Sequence, residues 1–187
     1  IYHEHYNYWS LTSLVTFFKR FKATIYKAEK INTHGGSLRI YVKKSLKTKI
    51  EKSVRSLLTE EKKFGINKYQ TYLNFAKKVY KIRDNVRKNI LKLKENNTKI
   101  IGYGSPAKAT TALNFFGISE EIECIVEDNK LKQGKLLPGV KIPIVSKSHI
   151  KDKPDYALVL AWNFINEIKS KNIDLAHKFI SIKDLEN

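Results

Sequence analysis

Near the start of the chain, Leu11, Leu14, Val15, Phe18 and Phe21 recur at helical spacing behind Ser10, a residue type that caps helix N-termini. A short amphipathic helix is expected there. Two strand-like runs follow, 23–31 and 37–43, and the second alternates Leu38, Ile40 and Val42 with Arg39 and Tyr41. His34-Gly35-Gly36 lies between them, and paired glycines accept the positive φ of a hairpin connection. From 46 to 97 the pattern becomes helical and heavily charged, with Gly65 as the break. Ile50, Val54 and Leu57 mark one helix, and Tyr69, Tyr72, Ala76, Val79, Val86, Ile90 and Leu93 a longer one. The last part alternates strands (99–103, 123–127, 156–160, 178–182) with helices (107–116, 146–150, 163–171), the signature of a parallel α/β sheet of about four strands.

Composition narrows the class. The chain has 187 residues, 42% hydrophobic and 11% aromatic, enough to bury a core in one or two units. The formal charge is +18, from 36 Lys and Arg against 18 Asp and Glu. Residues 1–97 hold 23 basic and 7 acidic side chains, and residues 98–187 hold 13 and 11, so the excess lies in the first half. Only five of the basic residues are Arg, the side chain that forks onto phosphates and base edges. The lysines of the helical stretch read as a solvated face, and neither a nucleic-acid nor a membrane partner is expected.

A lone cysteine, Cys124, excludes an internal disulfide and argues against a zinc site, which suits a cytoplasmic setting. No apolar run is long enough to span a bilayer, and Ile1-Tyr2-His3-Glu4-His5 lacks the features of a signal peptide. The chain contains no Met, and it is read as a fragment whose N-terminal part is missing.

Two groups of residues carry candidate chemistry. Gly102-Tyr103-Gly104-Ser105-Pro106-Ala107 follows an apolar strand and opens a helix, the G-x-G-x-x-A spacing that lets backbone amides approach a phosphate. Ser105 and Lys108 would be available to a diphosphate, and Glu127 and Asp128 sit where a dinucleotide site keeps its ribose-binding acid. Glycine also suits any tight strand-to-helix turn, and Pro106 suits a first helical turn. The other group is Tyr2, His3, Glu4, His5, Tyr6 and Tyr8: imidazole is a base near neutral pH, and a neighbouring carboxylate can orient it. Metal is the weaker option, because on a strand His3 and His5 share one face and Glu4 takes the other. Lys132-Gln133-Gly134, Pro138-Gly139 and Trp162-Asn163 punctuate the strand ends, where ligands sit in open α/β sheets. His149 and His177 read as surface or satisfied residues, and Cys124 as a small core hydrophobe.

Several motifs in one order carry a family resemblance. Tyr2-His3-Glu4-His5, Trp9-Ser10-Leu11-Thr12, His34-Gly35-Gly36-Ser37-Leu38-Arg39, Gly102 to Lys108, Lys132-Gln133-Gly134, Pro138-Gly139, Ile142-Pro143-Ile144 and Trp162-Asn163 span nearly the whole chain. Together they resemble the C-terminal portion of the S-adenosylmethionine-dependent C-methyltransferases that act on nucleotide-linked keto-deoxysugars. Such enzymes join a zinc-binding module, a methyl-donor domain and a C-terminal Rossmann-like domain. The resemblance implies that 1–44 is the closing helix and strand pair of the methyl-donor domain, 45–97 a helical arm and 98–187 the Rossmann-like domain.

The resemblance also implies roles. His5 would be the general base, with Glu4 and Tyr2 orienting it or meeting the keto-sugar. His34, Ser37 and Arg39, near the domain junction, and Gly102, Gly104, Ser105, Lys108 and Asn163 would bind the nucleotide-diphosphate sugar. S-adenosylmethionine would be held mainly by the missing region, so the fragment is expected to be inactive alone and to self-associate through an unpaired hairpin edge. The competing expectations are a nicotinamide-dependent oxidoreductase half-domain, from the glycine spacing and Asp128, and a basic non-catalytic binding module.

Overall fold

The computed structural model describes residues 5–33, 36–95 and 97–187. Its chain folds into two compact units, one ending at Ala76 and the other comprising Lys77–Asn187.

In the first unit, helix α1 (Leu11–Arg20) starts at Ser10, whose hydroxyl oxygen accepts from Ser13 N while the Ser13 hydroxyl accepts from Ser10 N. That capping box leaves two first-turn amides without a local partner. Glu61, on helix α2 (Lys52–Phe64), takes both: its two carboxylate oxygens accept from Leu11 N and Thr12 N, each at 2.7 Å. Strands β1 (Thr24–Ile31) and β2 (Ser37–Lys43) pair antiparallel from Thr24↔Lys43 to Ile31↔Ser37, with an irregularity between Ile25 and Lys27. Leu11, Ile25, Ala28 and Val54 form the buried core, with Leu14, Val15, Phe18, Leu38, Ile40 and Leu57 packed on it. The expected alternation of β2 therefore holds for Leu38 and Ile40, while Val42, nearer its end, is exposed. The pair is a sheet of its own, so each strand keeps one unpaired edge among the described residues.

Gly65 ends α2 in the left-handed conformation, φ 79°, which only glycine adopts cheaply. Helix α3 (Tyr69–Lys94) follows, its 26 residues giving about 40 Å at 1.5 Å per residue. Its later turns bury Val86 and Ile90 in the second unit. There Asn85 Nδ2 donates to Glu186 O at 2.9 Å, and Asn89 Nδ2 to Leu185 O at 3.1 Å and Asn187 O at 2.7 Å.

The second unit is a five-stranded parallel sheet, one strand more than the sequence predicts. Strands β3 (Ile100–Tyr103), β4 (Ile125–Val126), β5 (Ile144–Val145), β6 (Tyr156–Val159) and β7 (Lys178–Ser181) lie in the order β5-β4-β3-β6-β7. The first-entered strand is central and the order reverses between β3 and β6, the switch of a Rossmann-type α/β fold. Alternate residues serve opposite faces. Ile100, Ile125 and Leu158 pack with Val86, Ile90 and, from α4 (Ala107–Phe116), Ala109 and Leu113. Ile101, Tyr103, Val126 and Ala157 pack with Leu175, Ala176 and, from α5 (Ile165–Lys171), Ile168.

Three expectations are corrected. The run 123–127 contributes only the two residues of β4 to the ladder. The segment 146–150 is a single 3-10 turn, Lys147–His149, and 163–171 is a 3-10 turn, Trp162–Phe164, leading into α5. β5, behind Pro143, is too short to show a period.

Candidate functional site

Two concavities flank the carboxyl ends of the parallel strands in the second unit. The first is a crevice of about 570 Å³ at the switch between β3 and β6, bordered by Tyr103, Ser105, Asp128, Lys132, Phe164 and Asn172. The second is a groove of about 590 Å³, lined by Val79, Ile82, Phe115, Trp162, Ile182 and Lys108, among others.

The glycine loop forms one wall of the crevice. Gly102 is glycine for packing, because a Cβ there would lie 2.9 Å from Ile125 Cγ1 and 3.2 Å from Leu160 Cδ1. Gly104 is glycine for its φ of 81°. The loop amides are committed within the fold. Gly102 N donates to Cys124 O and Gly104 N to Val126 O, each at 2.8 Å, Ser105 N donates to Glu127 Oε2 at 2.8 Å, and Pro106 has no N–H. The Ser105 hydroxyl also donates to Glu127 Oε2, at 2.5 Å, and Asn129 N donates to Glu127 Oε1 at 3.0 Å. Lys132 Nζ stands 3.6 Å from the same carboxylate and donates to Ser105 O at 2.9 Å, while Gln133 Nε2 donates to Glu127 O at 2.7 Å. Burial pushes the Glu127 carboxyl up, but the bonds from Ser105 and Asn129 and the charge of Lys132 outweigh it and hold the group below the usual carboxylate range.

Tyr103 closes the floor. Its hydroxyl donates to Asp128 Oδ2 at 2.8 Å and accepts from Asn172 Nδ2 at 3.1 Å. Burial, followed by the bond to Asp128, pushes its pKa up to about 12, so the phenol stays protonated. Burial likewise raises the Cys124 thiol, which lies in the core as expected.

The groove has the opposite character. Its walls are aromatic and aliphatic, and Lys108 Nζ lies 5.9 Å from the centre of the Trp162 ring, with Lys183 and Glu186 also bordering it. Of the expected substrate-binding residues, Gly104 and Ser105 thus line the crevice, above Gly102, whereas Lys108 faces the groove. Asn163 is exposed beside Trp162 in the chain.

In the first unit, Ser37 is half-buried and its hydroxyl donates to Thr33 O at 3.0 Å, while Arg39 is exposed and pairs across the strands with Glu29. His5 is exposed, its ring edge-on to Tyr8 with centres 5.5 Å apart. Tyr2, Glu4 and His34 lie outside the described residues.

Glu127, expected near a ribose-binding position, and Lys132, expected in a loop, both bond to Ser105 of the glycine loop, and Gln133 bonds to the Glu127 carbonyl. A signal was present: Pro106 in the motif already removes one amide that a phosphate cradle would use.

The strand order and the crevice define a Rossmann-type α/β domain. Residues 32–181 match the C-methyltransferase C-terminal domain, and the chain belongs to that family. It is also similar to the C-methyltransferase NovU of Streptomyces niveus, 34% identical over 171 residues, which cover 90% of this chain and 41% of the relative. The chain therefore spans about two fifths of the length of that relative. Family membership sets aside the oxidoreductase expectation. No helix among the described residues is long and apolar enough to cross a membrane.

Proposed function

We propose that this chain is the acceptor-holding part of an enzyme that transfers a methyl group from S-adenosylmethionine to a carbon of a nucleotide-linked keto-deoxysugar. Family membership supplies methyl transfer to carbon. The observation that carries the nucleotide is the groove, where the Trp162 and Phe115 rings offer apolar planes for a base and Lys108 offers a cation for a phosphate. Base stacking on an aromatic ring contributes about 1–3 kcal/mol, and lysine is a point charge suited to phosphate.

In this reading His5 removes the proton from the carbon beside the sugar ketone, and Tyr2 and Glu4 orient the imidazole or meet the ketone oxygen. Imidazole is the side chain most often used for such proton transfer. S-adenosylmethionine supplies the methyl group when bound. The glycine loop between β3 and α4 is a poor seat for it, because the amides of Gly102, Gly104 and Ser105 are already donors within the fold. No step of methyl delivery is therefore assigned to this chain, and methyl transfer by the chain alone is expected to be undetectable.

The test is calorimetric titration of the chain with a thymidine or uridine diphosphate sugar, NAD and S-adenosylmethionine at two salt concentrations. The sugar nucleotide is expected to bind, and Lys108→Ala and Trp162→Ala are each expected to weaken it by about tenfold or more. Binding of NAD instead, or sugar-nucleotide binding indifferent to both substitutions, would defeat this reading.

A further inference from the structure

The crevice at the β3–β6 switch is where a Rossmann-type fold ordinarily receives the diphosphate of a nucleotide, and this chain keeps the glycine spacing that goes with it. Its contents argue for a different use. A diphosphate at such a loop is held by backbone N–H groups, and here Gly102 N and Gly104 N belong to the strand ladder, Pro106 has none, and Ser105 N already serves a carboxylate, which leaves those of the first turn of α4. Glu127 thus stands in the position of the anion, with three donors and a lysine around it. The remaining charges reinforce the effect. Asp128 and Glu167 border the same crevice, and its two lysines are both engaged, Lys132 with Glu127 and Ser105 O, Lys171 with Glu167 at 2.6 Å.

We propose that Glu127 is a specificity-determining residue: its carboxylate fills the phosphate seat of the glycine loop, denies the crevice to diphosphates and leaves the Lys108–Trp162 groove to receive those of the acceptor. The last clause rests on the acceptor reading above, whereas the exclusion itself rests only on the hydrogen bonds around Glu127. Lys132 acts as a positioning residue in this arrangement, tying the loop carbonyl to the carboxylate that occupies it.

The experiment follows the Ser105 backbone amide by nitrogen-15 NMR of the chain during titration with inorganic pyrophosphate, which reports the loop and not the many surface lysines. In the unsubstituted protein the Ser105 resonance is expected to stay in place. In Glu127→Ala the vacated amide and hydroxyl become available, and the resonance is expected to move with an affinity at least about tenfold tighter than any response before substitution. Glu127→Gln, which removes the charge while keeping an acceptor for Ser105 N, is expected to lie between the two.

A Ser105 response to pyrophosphate in the unsubstituted chain as strong as in Glu127→Ala overturns the proposal. So does a folded Glu127→Ala, shown by preserved amide dispersion, whose Ser105 resonance ignores pyrophosphate. Should the alanine variant fail to fold, the glutamine variant and the unsubstituted chain decide by the same readout. A diphosphate sugar that binds nowhere, beside the expected Ser105 behaviour, counts against the acceptor reading alone.

Discussion

Glu61 offers the sharpest test of how the first unit is held. Among the described residues its carboxylate is the sole partner of Leu11 N and Thr12 N, and Leu11 is fully buried, so removal strands at least one amide away from water. A hydrogen bond to a charged group contributes about 1.5–3 kcal/mol. Thr12 is half-buried, so water can replace part of its share, and Glu61→Ala is expected to cost about 2–3 kcal/mol in all. Glu61→Gln keeps one good acceptor but loses the charge at a helix N-terminus, and about 1 kcal/mol is expected. Urea unfolding followed through Trp9, whose ring lies 5.4 Å from that of Phe17, reports this unit once Trp162 is replaced by Phe. With an m-value of about 2 kcal/mol per molar, the alanine variant should lower the midpoint by about 1 M. An alanine midpoint within about 0.25 M of the parent would refute the idea that α1 depends on a carboxylate from α2.

Further outcomes can be checked independently. Gly102→Ala places a Cβ 2.9 Å from Ile125 Cγ1 and should destabilise the second unit by about 1–3 kcal/mol in urea melts. Leu158→Ala, in the fully buried centre of the sheet, should cost about 2–5 kcal/mol by the same measure. Because the folded Glu127 carboxyl titrates below its ordinary value near 4.5, its stabilisation is present above that pH and is lost as pH falls through the folded pKa. Glu127→Gln should therefore flatten the acid limb of a stability–pH curve, and an unchanged limb would count against the network. The open edges of the β1–β2 pair should drive concentration-dependent association in sedimentation velocity, which a Pro at an edge position of β2 should reduce.

The sequence made the architecture of the second unit readable because β3 and β6 are uninterrupted apolar runs and α4 is bounded by Pro106 and Gly117. Ser10 and Gly65 announced helix boundaries in the first unit for the same local reason: capping is decided by a single residue type. β5 stayed hidden because two residues make no period, and its place is set by pairing with β4, a long-range fact. The crevice was legible in outline, and its internal hydrogen bonds were not. Spacing placed Ser105 at the strand-to-helix turn, but only the fold brings the carboxylate of Glu127, 22 residues on, onto its amide. The split of Lys108 from Ser105 into separate concavities was equally out of reach, since it depends on the directions in which Ser105 leaves the loop and Lys108 leaves the first turn of α4.

The internally bonded glycine loop changes how ligand mapping on this domain should be read. Amides at Gly102 and Gly104 are already donors to neighbouring strand carbonyls, so their exchange with deuterium is governed by opening of the sheet and not by who occupies the crevice, while that of Ser105 awaits release of the Glu127 carboxylate. A protection footprint that is silent over these positions is thus the ordinary behaviour of the loop, and occupancy of the neighbouring groove has to be read from side-chain probes such as the Trp162 ring.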